Sequence, residues 1–98
     1  MSEGENSATW PAEWPLRTEI ETANGDILRV LKLREPLASD LIRFGLPYDA
    51  NGDVSYDRLL DMVAEFSGLA RPIVARMSAA DLIGLGGRIG RFFAVAAL

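Results

Sequence analysis

The sequence predicts a small α+β domain: a two-stranded N-terminal β-hairpin followed by about four short helices packed on one face of it. Two observations carry this expectation. Asn24-Gly25 sits between two strand-like runs, and this dipeptide is the strongest short hairpin signal because both residues tolerate positive φ. Beyond Pro36 the apolar residues switch to a spacing of three and four, in segments bounded by capping residues.

Residues 1–13 (MSEGENSATWPAE) are small, polar and acidic and read as a flexible leader, so the domain is expected over 14–98. Trp10 and Trp14 flank Pro11; at least one of them is expected to fold back and cap the sheet, unless they serve a partner contact. The hairpin is expected over Leu16 to Leu33. A two-residue turn pairs Ala23 with Asp26 and Thr22 with Ile27, which places Leu16, Thr18, Ile20, Ile27, Leu31 and Leu33 on one face. The other face then carries Arg17, Glu19, Glu21, Leu28, Val30 and Lys32. An isolated hairpin is marginal in water, so helices must cover the apolar side.

Pro36 suits the first position of a helix of roughly ten residues, in which Leu37, Leu41 and Phe44 share a stripe and Gly45 is the stop. After a turn-rich loop from Leu46 to Val54, Ser55 caps a second helix that ends at Gly68. Its apolar stripe is Tyr56, Leu59, Leu60, Val63 and Phe66, with Asp57, Arg58, Asp61 and Glu65 toward water. Pro72 opens a short helical turn lasting to about Met77. Ser78 then opens the last helix, with Asp81 in its first turn and Leu82, Leu85, Ile89, Phe92, Phe93 and Ala96 on one stripe.

Composition excludes most chemistry. The chain has no histidine and no cysteine, which removes Ser-His-Asp and Cys-His arrangements, ordinary zinc sites and disulfides, so neither an enzyme nor a cofactor is expected. Lys32 is the only lysine and lies in a strand, where its ammonium is solvated. The net charge of −4 disfavours nucleic acid and anionic membranes as partners, and the nine arginines are spread from Arg17 to Arg91. A DNA-binding reading of the helical stretch around 70–93 therefore lacks a basic patch. Met1 to Ala8 lacks the pattern of a secretory signal, and the apolar run Phe92 to Leu98 is too short to span a bilayer, so a cytoplasmic location is expected. The loop from Asp49 to Asp53 alternates acidic residues as a calcium loop does. It has Val54 where the sharp turn needs glycine and Leu60 where a bidentate glutamate belongs, so it reads as a solvated turn.

The last helix holds the least ordinary features. Glycines at 84, 86, 87 and 90 each cost about 1 kcal/mol relative to alanine inside a helix. Two readings stand side by side: the stripe Ile83, Gly87, Gly90, Ala94 and Ala97 admits a second helix closely, or the helix kinks near Gly86-Gly87. The ending FFAVAAL also has two: Phe92 and Phe93 complete the core, or they grip a partner. The candidate partner-binding residues are thus Leu82, Leu85, Gly87, Ile89, Gly90, Phe92, Phe93 and Ala94.

Leu31-Lys-Leu-Arg-Glu-Pro36, Ser39-Asp-Leu41, Phe44-Gly45, Leu59 to Val63, Phe66-Ser-Gly-Leu69, Val74 to Met77, Ser78-Ala-Ala-Asp-Leu82 and Phe92-Phe93 together resemble the tail assembly chaperones of long-tailed bacteriophages and their prophage relatives. The resemblance runs from about Trp14 to Phe93 and rests on order and spacing. It implies a cytoplasmic, non-catalytic helper that coats the helical, aggregation-prone tape measure protein. It also implies tail tube subunits as a second partner and the absence of the chaperone from the finished virion. Many members of that family are made in two forms by ribosomal frameshifting, and an end soon after Phe92-Phe93 matches the shorter one. Self-association through the last helix is also expected. The alternative from another class is a small structural tail subunit retained in the virion.

Overall fold

The hairpin turn is one residue longer than the Asn24-Gly25 signal implies. In the computed structural model, which describes residues 10–96, the amide of Thr22 donates to the Asp26 carbonyl (2.8 Å) and that of Gly25 to the Thr22 carbonyl (3.0 Å). The loop is therefore Ala23-Asn24-Gly25, a type I-like turn finished by Gly25 at φ 86°, a conformation for which glycine is suited. The strands are β1 (Ala12–Glu21) and β2 (Ile27–Leu33), an antiparallel two-stranded sheet. This turn corrects the expected register: Glu21, not Thr22, lies opposite Ile27, and Ile20 lies opposite Leu28. A one-residue slip exchanges faces. Accordingly Ile27 is exposed and Leu28 packs against the core with Ile20, the reverse of the expectation.

A second irregularity restores the expected facing further along. Between the pairs Ile20–Leu28 and Pro15–Val30, β1 advances five residues while β2 advances two. Beyond this bulge, Trp14 pairs with Leu31 and Ala12 with Leu33, which brings Leu31 and Leu33 to the interior as expected. Thr18, expected on the inner face, is exposed because it lies in the bulge. Residues 1–9 of the expected leader lie outside the described residues. Ala12 and Glu13, also assigned to it, belong to β1.

Four helices follow, α1 (Ala38–Phe44), α2 (Tyr56–Ser67), α3 (Arg71–Val74) and α4 (Ala79–Ala96), giving the expected α+β class. Leu37 is the N-cap of α1, so Pro36 lies just outside the helix, which has seven residues rather than about ten. In α2, Ser55 caps as expected, its hydroxyl accepting from the Arg58 amide at 3.3 Å, and Gly68 ends the helix at φ 74°. Its buried stripe is Leu59, Met62, Val63 and Phe66. Met62 takes the place of Tyr56, which is half exposed at the helix start, its ring edge beside Gly86 of α4. The core joins Ile20, Leu31 and Leu33 of the hairpin to this stripe, to Val74 and Met77, and to Leu85, Ile89 and Phe93 of α4.

The first turn of α4 locks the bulge. Ser78 Oγ accepts from the Asp81 amide at 3.1 Å, an N-cap bond, and donates to Asp81 Oδ2 at 3.0 Å. The Asp81 carboxylate, 0% exposed, also accepts from Trp14 Nε1 (3.2 Å) and from the Arg17 amide (3.0 and 3.1 Å). Amides freed from the ladder by the bulge thus find a buried acceptor. One turn on, Gly84 makes room for the Trp14 ring, and Gly86 lies against Leu59. α4 runs unbroken through Gly86-Gly87.

A candidate partner-binding surface

α1 is turned inside out. At about 100° per residue, Leu37, Leu41, Gly45, Ala38 and Ile42 occupy one continuous arc, whereas Asp40 and Arg43 lie on the other side. An amphipathic helix normally buries the first set. Here Ile42 is 86% exposed, Leu37 55% and Leu41 43%, and Leu46 just beyond the helix is also exposed. Of the expected stripe Leu37, Leu41 and Phe44, only Phe44 packs against the core.

Charges hold the helix this way round. Asp40, 4% exposed, takes a bidentate pair from Arg34 (2.7 and 2.9 Å) and a hydrogen bond from the Leu37 amide (2.8 Å). Arg34 also reaches Glu65 of α2 (3.2 Å), which Arg43 of α1 meets from the far side at 2.9 Å. The Arg34 guanidinium lies 5.2 Å from the centre of the Phe66 ring, and its amide donates to the Phe66 carbonyl (2.9 Å). The four-charge network therefore ties the end of β2 to α1 and α2. The Arg34 hydrogen bond outweighs the burial of Asp40 and holds its carboxyl below the usual range; Asp40 in turn raises the Arg34 pKa.

A bidentate pair with one buried partner is worth more than a surface contact. Asp40→Asn is expected to lower stability by about 2 kcal/mol. Hydrogen exchange is expected to quicken over residues 38–44 and to stay unchanged in α4; uniform quickening would show that the network does not secure α1 specifically.

Next to α1 lies an open cleft of about 520 Å³, lined by Arg43, Phe44, Asp61, Ala64, Glu65, Leu69 and Arg71. Its walls are ion pairs: Arg43 with Glu65, and Arg71 with Asp61 and Asp57. These carboxylates of α2, expected toward water, are thus engaged by arginines. The Asp49 carboxylate accepts from the amides of Asn51 (2.8 Å) and Asp53 (3.0 Å), which shapes the turn of its own loop.

The candidate residues of α4 divide. Leu85, Ile89 and Phe93 are core residues, so their side chains are enclosed by the chain itself. Leu82 and Phe92 are half-buried against that core, and the Phe92 ring meets Trp10 and Phe93 edge-on at 5.5 and 5.2 Å. Gly90 is half-buried beside Tyr48. Gly87 and Ala94 face outward, with Ile83 59% exposed near Gly87 on the helix. Ala97 lies outside the described residues. The α1 surface went unread in the sequence because Leu37, Leu41 and Phe44 mimic a core stripe. Ile42, apolar but off that stripe, is the one signal that could have marked it.

Exposed apolar patches on a folded domain often mark contact sites for other molecules. Residues 14–94 match the family model described as phage tail assembly chaperone proteins, E, or 41 or 14. The chain belongs to this family, as the sequence resemblance implied. No curated protein and no solved structure matches it. Among the described residues, no helix is long and apolar enough to cross a membrane.

Proposed function

We propose that the chain is a non-catalytic chaperone that binds the tape measure protein and keeps it soluble during tail morphogenesis in the host cytoplasm. The observation that carries this reading is the family match over residues 14–94. An open apolar helix face on the surface supports it, because a long helical client exposes apolar stripes that must be covered before assembly. In this reading copies associate through the outward side of α4, where Gly87 and Ala94 are exposed, and the tail tube protein is a second partner. Co-expression with the tape measure protein of the same phage tests the reading. The client is expected in the soluble fraction with the chain and in the pellet without it. Equal insolubility in both would refute a protective role.

A further inference from the structure

We infer that the outward arc of α1 is a docking surface for one amphipathic helix of the client, and that the Arg34–Asp40–Glu65–Arg43 network exists to present it. The inference rests on the reading above, since it names the surface through which that client is held.

The first ground is the inversion itself. A short helix with free choice would bury Leu37 and Leu41 and leave Asp40 and Arg43 in water. Here Asp40 is buried on Arg34, and Ile42 is the most exposed of the large apolar residues described. A buried ion pair is a poor route to stability compared with apolar packing of similar volume. Its effect here is orientation, because it fixes which side of α1 faces out.

The second ground is area. Leu37, Ala38, Leu41, Ile42 and Leu46 expose roughly 400 Å² of apolar surface, within the range of a functional patch on a monomer. A symmetric pairing of two such faces would bury roughly 800 Å² in all, below the roughly 1,000 Å² that a stable interface clears. The charged ends of the arc, Glu35 before α1 and Arg43 and Arg58 near its end, would suit an antiparallel second copy as well as a client helix. A client helix buries no more per copy, so the number of contacts decides: one such contact is too small for a lone dimer, whereas a long client offers many. A face this small fits two turns of one amphipathic stripe, and useful retention comes from many copies spaced along one long client.

Because the chain has no cysteine, Ile42→Cys supplies a unique attachment point at a site that contributes nothing to the core. The variant is labelled with an environment-sensitive dye and is present while the tape measure protein is diluted out of denaturant, with Asp57→Cys as an exposed control. The dye at position 42 is expected to shift to the blue in the complex while that at 57 stays unchanged. The double variant Leu41→Ser, Ile42→Ser is expected to retain the native circular dichroism and to hold the client roughly tenfold less well. A complex that forms with no shift at 42, or undiminished retention by the folded double variant, would overturn the assignment while leaving the chaperone reading intact. Efficient oxidative cross-linking of 42 to 42 between copies, above the level at 57, would overturn it in favour of a second copy. If the unmodified chain fails to retain the client, the reading falls and the inference with it.

Discussion

Asp81→Ala is expected to lower stability by about 3–5 kcal/mol, a large share of the 5–15 kcal/mol typical of a domain. The carboxylate is fully buried and accepts from the Trp14 indole, the Arg17 amide and the Ser78 hydroxyl. Alanine removes the acceptor and leaves the indole and amide donors in the interior, and it also cuts the tie between α4 and the β1 bulge. Burial by itself would raise the Asp81 pKa. The Trp14 and Ser78 hydrogen bonds and those from the Arg17 and Thr18 amides outweigh it, and the carboxyl titrates below the ordinary value of 3.8. A depressed folded-state pKa contributes stability that is complete above the unfolded value and is lost as pH falls through the folded one. Acid is therefore expected to weaken the protein below about pH 4, with Asp40 adding to the same slope. In Asp81→Asn that slope is expected to flatten. Denaturant titrations at several pH values, followed by tryptophan fluorescence, check both. A loss below about 1 kcal/mol in Asp81→Ala would show that the clamp is dispensable.

One substitution made twice in α4 is expected to act in opposite directions. At Gly84 an added Cβ would stand 2.7 Å from two atoms of the Trp14 ring. The indole is flat and rigid, and its Nε1 is held by Asp81, so it must tilt away and stretch that bond. Overpacking of this kind costs about 1–3 kcal/mol, more than the roughly 1 kcal/mol gained in helix propensity. At Gly87 an added Cβ would meet nothing within 4 Å, and the backbone φ is ordinary for a helix. Gly87→Ala is therefore expected to stabilise by about 0.5–1 kcal/mol. Each kcal/mol corresponds to roughly 4–8 °C in a domain of this size, so thermal melts should separate the two variants clearly. Equal shifts of the same sign would mean that Trp14 does not constrain Gly84.

Local signals placed the elements and failed where distant residues decide. Ser55, Gly68 and Ser78 announced the helix boundaries because a cap is chemistry confined to one turn. The hairpin was visible at Asn24-Gly25, yet the same dipeptide serves two-residue and three-residue loops, and the one-residue difference moved Ile27 outside. The bulge was hidden because its reason, the Asp81 carboxylate, comes 64 residues after Arg17. The glycines of α4 separate in the same way: Gly84 and Gly86 answer to Trp14 and Leu59 on other elements, and no wheel drawn on one helix shows that. In the candidate site, Asp40 and Glu65 gave no sign of sharing Arg34. Hydrophobic periodicity assumes that apolar residues face inward, and α1 departs from that assumption.

That departure separates two kinds of change. The residues that fix α1 in place, Arg34, Asp40, Arg43 and Glu65, are different from those it displays, Leu37, Ala38, Leu41 and Ile42. Substitutions in the displayed set touch little of the interior, and surface changes of this sort usually move stability by no more than about 0.5 kcal/mol. If this face docks the client as inferred above, a lineage that acquires a divergent client can retune recognition at four positions while the scaffold that carries them stays constant.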